Sequence, residues 1–141
     1  CGLTEDAACT TLSEAIVYAR PGSQIRIHPG RYTFLAIRSV LQDINNVSIV
    51  GYGGPEATFF SDEDKIPMRS SKATAISLDN VANIRIEGIT FSSFAATPLK
   101  VEASVTVEIV NCRFLHNRVS IELSRGFSMT FTQTTFRNNQ F

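Results

Sequence analysis

Carboxylates, imidazoles and thiols are the groups through which this chain could do chemistry. An acid-base glycosidase needs two or three carboxylates converging on one face, one of them raised in pKa to donate a proton. A calcium-dependent lyase needs clustered Asp and Glu as oxygen ligands and a basic residue to take a proton. Only Asp62, Glu63 and Asp64 cluster in the sequence, and a charge run of that kind reads first as a solvated loop. His28 and His116 have no Cys or second His at ligand spacing, so a zinc-type site is not expected. Gly51, Gly53 and Gly54 precede no helical pattern that could supply an anion-binding N-terminus, and they read as turn glycines rather than a phosphate loop. We therefore expect no catalytic residues, no metal and no cofactor.

Three cysteines, Cys1, Cys9 and Cys112, leave one over if the other two pair. Cys1 and Cys9 are the expected couple, because a bridge there closes a short loop at a chain end that would otherwise fray. Cys112 sits in an apolar-periodic stretch and reads as a buried thiol acting as a small hydrophobe. Asn46-Val47-Ser48 is an N-glycosylation sequon. Asn46 and Asn83 each directly precede a strand-like segment, so Asn46 is either a glycan acceptor or part of an asparagine ladder; the sequence leaves both open.

The elements that must position these groups follow from size and pattern. A chain of 141 residues with 43% hydrophobic residues is long enough for one domain with a sizeable core. Its 13 basic and 13 acidic side chains balance, which lacks the electrostatic footprint of a nucleic-acid or membrane-surface binder. No run of 18 apolar residues suggests direct membrane insertion. A chain starting at Cys1 without Met looks like a processed product, so a secreted or cell-surface location is expected.

A short pattern returns with a period of 22 to 23 residues. Ile25-Arg26-Ile27, Val47-Ser48-Ile49, Ile84-Arg85-Ile86, Val107-Glu108-Ile109 and Met129-Thr130-Phe131 all alternate apolar and polar, the mark of a strand with one buried face. Their first members are 22, 37, 23 and 22 residues apart. Five residues beyond the second apolar member of each comes Tyr32, Gly54, Phe91, Phe114 or Phe136, and a second strand recurs as Ile76-Ser77-Leu78, Leu99-Lys100-Val101 and Ile121-Glu122-Leu123. Stacked short strands with a fixed period describe a β-solenoid. A leucine-rich repeat would need Leu and Asn positions that are missing, and a β-sandwich would not explain the recurring phases.

We therefore expect an all-β fold, a right-handed parallel β-helix of about five coils over 23–141, behind a cap over 1–22. The cap contains an amphipathic helix over 11–22, with Leu12, Ala15, Ile16 and Ala19 on one face, Thr10 or Thr11 as N-cap and Pro21-Gly22 as the stop. Identical phases lie about 4.8 Å apart along the axis. Arg85 should thus meet Glu108, Lys100 should meet Glu122, and Phe91, Phe114 and Phe136 should stack inside. The outward columns read Arg26, Ser48, Arg85, Glu108, Thr130 and His28, Val50, Glu87, Val110, Thr132, with no converging acids. Phe94 shares the phase of Asn117 and Asn139 and is expected at a turn, so that Phe94→Ala should be mild. The 37-residue step holds an insertion over 51–74, whose Phe59, Phe60, Asp62, Glu63, Asp64 and Arg69 form the expected binding surface. The chain stops after the last repeat without a second cap; we expect continuation, or another protein chain covering this end.

The run Thr11-Leu12-x-x-Ala15-Ile16-x-x-Ala19-x-Pro21-Gly22-x-x-Ile25-x-Ile27-x-x-Gly30-x-Tyr32 resembles the opening cap and first coil of proteins with the pectin-lyase-like fold. Val47 to Gly53 resembles their second coil. Cys112-Arg113-Phe114-Leu115-His116-Asn117 and Thr135-Phe136-Arg137-Asn138-Asn139 are similar to the Phe-x-x-Asn repeats of secreted and cell-surface β-helix proteins, including bacterial adhesins; the Gly-Gly-Ala-Ile partner motif of those adhesins is absent. The resemblance implies the fold more than an activity, because that fold hosts polysaccharide lyases, hydrolases, esterases, adhesins and structural rods. The expected function is a non-catalytic extracellular structural or adhesion module, with other chains and carbohydrate as partners. The alternative is the N-terminal part of a lyase or glycoside hydrolase acting on acidic polysaccharide.

Overall fold

A computed structural model describes residues 2, 5–34, 39–62, 73–126 and 128–140. Short strands follow one another in trios. They are β1 (Gln24–Ile27), β2 (Gly30–Phe34) and β3 (Ser39–Gln42); β4 (Asn45–Gly51), β5 (Thr58–Asp62) and β6 (Ile76–Asp79); β7 (Ala82–Glu87), β8 (Thr90–Ser92) and β9 (Leu99–Glu102); β10 (Val105–Val110), β11 (Arg113–Leu115) and β12 (Ile121–Ser124); then β13 (Met129–Thr132) and β14 (Thr135–Arg137). Every strand pairs in parallel with the corresponding strand of the next trio, giving sheets ordered β1-β4-β7-β10-β13, β2-β5-β8-β11-β14 and β3-β6-β9-β12. This is a parallel β-helix. Each coil satisfies its backbone on the coils above and below, so the period-two alternation alone decides which side chains enter the bore.

The core is read off the registers. Val47, Ile84, Val107 and Met129 form one inward column and Ile49, Ile86, Ile109 and Phe131 the next. Ile76, Leu99 and Ile121 stack in the third sheet as their spacing predicts. The second sheet carries an aromatic column of Tyr32, Phe60, Phe91, Phe114 and Phe136. Phe91 and Phe114 stack at 4.9 Å and 15°, and Phe114 and Phe136 at 5.0 Å and 9°. The coil spacing of about 4.8 Å sets that distance, so the stack follows from register.

Three expectations are corrected here. The aromatic partner in the second trio is Phe60, not Gly54, because the insertion is two insertions. Ile49 to Phe60 spans eleven residues where Ile86 to Phe91 spans five, and Phe60 to Leu78 spans eighteen where Phe91 to Val101 spans ten. A strand, β5, lies between them and belongs to the helix itself. Second, β1 lies two residues further along β4 than expected, pairing Ile25 with Ile49 and Ile27 with Gly51. A two-residue slide keeps the same face inward, so alternation cannot detect it. Third, Phe94 is 1% exposed and lies 6.3 Å from the Phe34 ring. The corner after β8 turns its side chain inward, where Phe34 and Phe60 fill the widened coil.

Corners are made by left-handed residues at fixed phases. Asp43, Asn80, Ala103 and Arg125 follow the third-sheet strands with φ of 54°, 51°, 49° and 54°, and Ser93, His116 and Asn138 follow the second-sheet strands with φ of 63°, 56° and 55°. Asn and Asp tolerate this region best, which explains their abundance between strands. At the N-terminal end, helix α1 (Leu12–Val17) is held by a cap in which Thr11 Oγ1 accepts from the Glu14 N–H, while the Glu14 carboxylate accepts from the Thr10 N–H and hydroxyl. Those Thr10 bonds hold the Glu14 carboxyl below its usual pKa. The helix ends at Tyr18, before Pro21-Gly22. Leu12, Ala15 and Ile16 pack on the core and Ala19 is buried, as the amphipathic pattern predicts.

Candidate functional site

The outer face is laced by ion pairs between coils. Arg85 bonds Glu87 at 3.0 Å on its own strand and Glu108 at 3.2 Å on the next; Lys100 meets Glu122 at 3.5 Å, and Arg125 meets Glu102 at 2.6 Å. The Glu87 and Glu108 carboxylates hold the Arg85 guanidinium above its usual pKa, the bond to Glu87 first. Each such pair is worth roughly a few tenths of a kcal/mol at an exposed surface. Their chemical consequence is larger than their energy, because Glu56, Glu87, Glu102, Glu108 and Glu122 all have cationic partners. The slide of β1 also changes the outward columns: Gln24 stands above Ser48, and Arg26 above Val50 and Glu87, while His28 lies past the end of β1.

The first insertion is a strap. Gly53 and Gly54 adopt φ of 83° and 79°, turning the chain at the end of β4, as expected of turn glycines. The buried Pro55 then offers its carbonyl to the Thr90 hydroxyl at 2.6 Å, Thr58 Oγ1 donates to the Tyr52 carbonyl at 2.9 Å, and Glu56 pairs with Arg113. The strap thus lies across the outer face of β8 and β11. Beneath its start Gly51 and Gly88 approach so closely that a Cβ on Gly51 would stand 2.4 Å from the Gly88 oxygen; only glycine fits this crossing.

Of the binding residues expected from sequence, Phe60 is buried in the aromatic column and is withdrawn from any surface. Asp62 is 4% exposed and accepts from the Ala95 N–H at 3.3 Å, so it serves the corner and not a solvated loop. Phe59 is half-buried with the Arg31 guanidinium 4.6 Å from its ring centroid. Glu63, Asp64 and Arg69 lie outside the described residues, as does Cys1; Cys9 is not a free thiol. The structure therefore does not gather the six into one site.

Elsewhere two arginines lie on aromatic rings, one on the first sheet and one on the second. Arg26 stacks 5.7 Å from the Tyr52 ring centroid and bonds Gln24 Oε1 at 2.9 Å. Arg31 over Phe59 makes a second arginine–aromatic pair, on the outer side of the second sheet; Tyr52 is 41% exposed. Neither guanidinium has a carboxylate partner among the described residues. Stacked, unneutralised arginines present donors in a fixed fork suited to an anionic group. Sequence reasoning missed this set because Arg26 meets Tyr52 only through the slide of β1. Among the described residues no group of three His, Cys, Asp or Glu could hold a metal ion.

Inside, the Phe-x-x-Asn repeats form a ladder. Asn117 Oδ1 accepts from the Phe94 N–H at 3.0 Å, and Asn117 Nδ2 donates to the Phe91 carbonyl and to Asn139 Oδ1, each at 3.1 Å. Asn139 Oδ1 also accepts from the Asn117 N–H, and its Nδ2 donates to the Phe114 carbonyl. A family model described as a right-handed β-helix region matches residues 23–141. The chain belongs to the right-handed β-helix family. No curated protein and no solved structure matches it. The match begins at Ser23, one residue before β1, leaving the cap helix of this β-helix outside the repeat, and nothing in it narrows the family to the pectin-lyase-like group.

Proposed function

We propose that this right-handed β-helix is a non-catalytic extracellular structural or adhesion module, a rigid coil that displays its outer face to other macromolecules. One observation carries the reading: the acidic side chains of the outer columns are engaged in ion pairs along and between coils, while among the described residues Arg26 and Arg31 lie on aromatic rings without a carboxylate partner. The Cys1–Cys9 bridge expected from the sequence would accord with an oxidising compartment. Partners are other protein chains, or the chain's own continuation, at the β12–β14 end, and anionic carbohydrate at the arginine–aromatic pairs.

The test is a pair of measurements on the purified chain. Incubation with pectin, alginate and chondroitin should give no turnover, whereas immobilised acidic polysaccharide should retain the chain at low salt and lose it in Arg26→Ala/Arg31→Ala. Turnover that survives repurification overturns the non-catalytic reading. The arginine–aromatic pairs also favour the second reading, a portion of a lyase or hydrolase acting on acidic polysaccharide; turnover by a longer chain with aligned Asp or His columns would decide for it.

A further inference from the structure

The asparagines of this chain fall into two physical classes, and the difference bears on Asn46. Asn117 and Asn139 spend their side-chain amides on the ladder, with the nitrogens donating to backbone carbonyls. A held amide of that kind is unavailable for reaction. Asn46 is the opposite case. Its backbone is left-handed at φ 57°, at the second residue of β4, just past the corner after β3, and the residue is exposed. Its backbone carbonyl accepts from the Gly22 N–H at 2.7 Å, but no hydrogen bond holds its side-chain amide among the described residues. Asn83 and Thr106 occupy the same phase with φ of 55° and 56° and are exposed too. The three form an outer ridge, and no ladder joins Asn46 to Asn83.

We infer that Asn46 is an N-glycosylation acceptor whose glycan stands on this ridge at the outer edge of the first sheet. Within the chain's eight asparagines, only Asn46 is followed at the second position by Ser or Thr. Ser48 lies on the outward side of β4 and is half-buried, while Val47 between them is fully buried. The sequon is therefore split by the strand's alternation, with acceptor and hydroxyl outside and the spacer anchored in the bore. A glycan attached at Asn46 displaces no core contact, and the left-handed backbone is one that Asn adopts readily.

In the transfer, Asn46 Nδ2 forms a bond to the anomeric carbon of an oligosaccharide carried on a lipid pyrophosphate. The carbon–oxygen bond to pyrophosphate breaks with its electron pair, the amide proton passes to a base of the transferase, and nothing is oxidised or reduced. The inference rests on the extracellular reading, since the donor is met during secretion. It also bars the ridge from close macromolecular contact, directing partners to the other faces.

The chain, given a cleavable secretion signal, would be expressed in eukaryotic secretory cells beside Asn46→Asp, Ser48→Ala and Asn83→Asp. The wild type and Asn83→Asp should carry a single glycan, removed by peptide N-glycosidase, and the other two should carry none. Asn46→Asp keeps the shape and the left-handed preference, so its melting temperature should match that of the deglycosylated wild type. A secreted, folded wild type without glycan overturns the inference, as does a glycan that survives Asn46→Asp. Fractionating the source cells tests the extracellular reading separately: protein confined to the cytosol would defeat that reading whatever the acceptor does in the secretory assay.

Discussion

Asn117 shows how one side chain can close a corner of this fold. It is 1% exposed and connects three coils, through the Phe94 N–H, the Phe91 carbonyl and Asn139. Asn117→Ala strands a buried donor and a buried acceptor, at a cost of about 1–3 kcal/mol for each unsatisfied group. Asn139→Ala, at the exposed end of the ladder, should cost clearly less; a negligible shift for Asn117→Ala in a denaturant titration would mean the ladder contributes nothing. Cys112 is the second residue with a measurable signature. Burial pushes its thiol from 9.0 up to about 11, with the nearby backbone bonds pulling the other way. In the unfolded chain the thiol ionises near its ordinary value, so between about pH 9 and 11 the native state binds the extra proton. Stability from this group is present below pH 9 and falls as pH rises through that window. Cys112→Ala should flatten the alkaline limb of the stability curve, and the native thiol should resist a thiol reagent until the chain unfolds.

At the scale of elements, legibility followed parity. The third-sheet register, the Arg85–Glu108 and Lys100–Glu122 pairs and the Phe91–Phe114–Phe136 stack were all readable, because a fixed period and alternation specify them. The slide of β1 was not, since Ile25 and Ile27 are interchangeable under a two-residue shift. Nor was β5, because two insertions flanking a strand look in sequence like one long loop. That hid Phe60 and Asp62 in a supposed binding surface. Phe94 was misread for a related reason: Phe-x-x-Phe occupies the phase of Phe-x-x-Asn, and the corner accepts a ring inside where the next coils place an amide. The corrected register makes a sharp forecast. Phe60→Ala and Phe94→Ala should each cost about 3–5 kcal/mol, as Phe114→Ala should, whereas Phe59→Ala, which loses only a half-buried ring under Arg31, should cost far less. Melting temperatures of the four variants would check it, and a Phe59 variant as damaged as Phe60→Ala would return β5 to the opposite face.

The described residues are asymmetric along the coil axis. At the β1 end, Leu12, Ala15 and Ile16 of α1 cover the bore. At the other end β12, β13 and β14 each form the last strand of their sheet, and Leu123, Phe131 and Phe136 are 37%, 45% and 46% exposed. The Phe136 ring offers its free face at the end of a stack, and the strand edges offer unpaired backbone groups, the features by which a sheet recruits another strand. Because α1 blocks the opposite end, a second copy cannot continue the coil head to tail. Two uncovered ends can still meet each other, which makes an isologous pair and not a fibre. The chain of residues 1–141 should therefore self-associate in sedimentation at rising concentration and stop at a dimer. Phe131→Glu/Phe136→Lys should return it to monomer at a lowered melting temperature, since Phe136 stacks on Phe114 and Phe131 packs on Phe136, with circular dichroism showing that the coil is kept. A concentration-independent monomer in the unsubstituted chain would show that the end is covered by residues outside those described, and growth past the dimer would show that α1 does not close the other end.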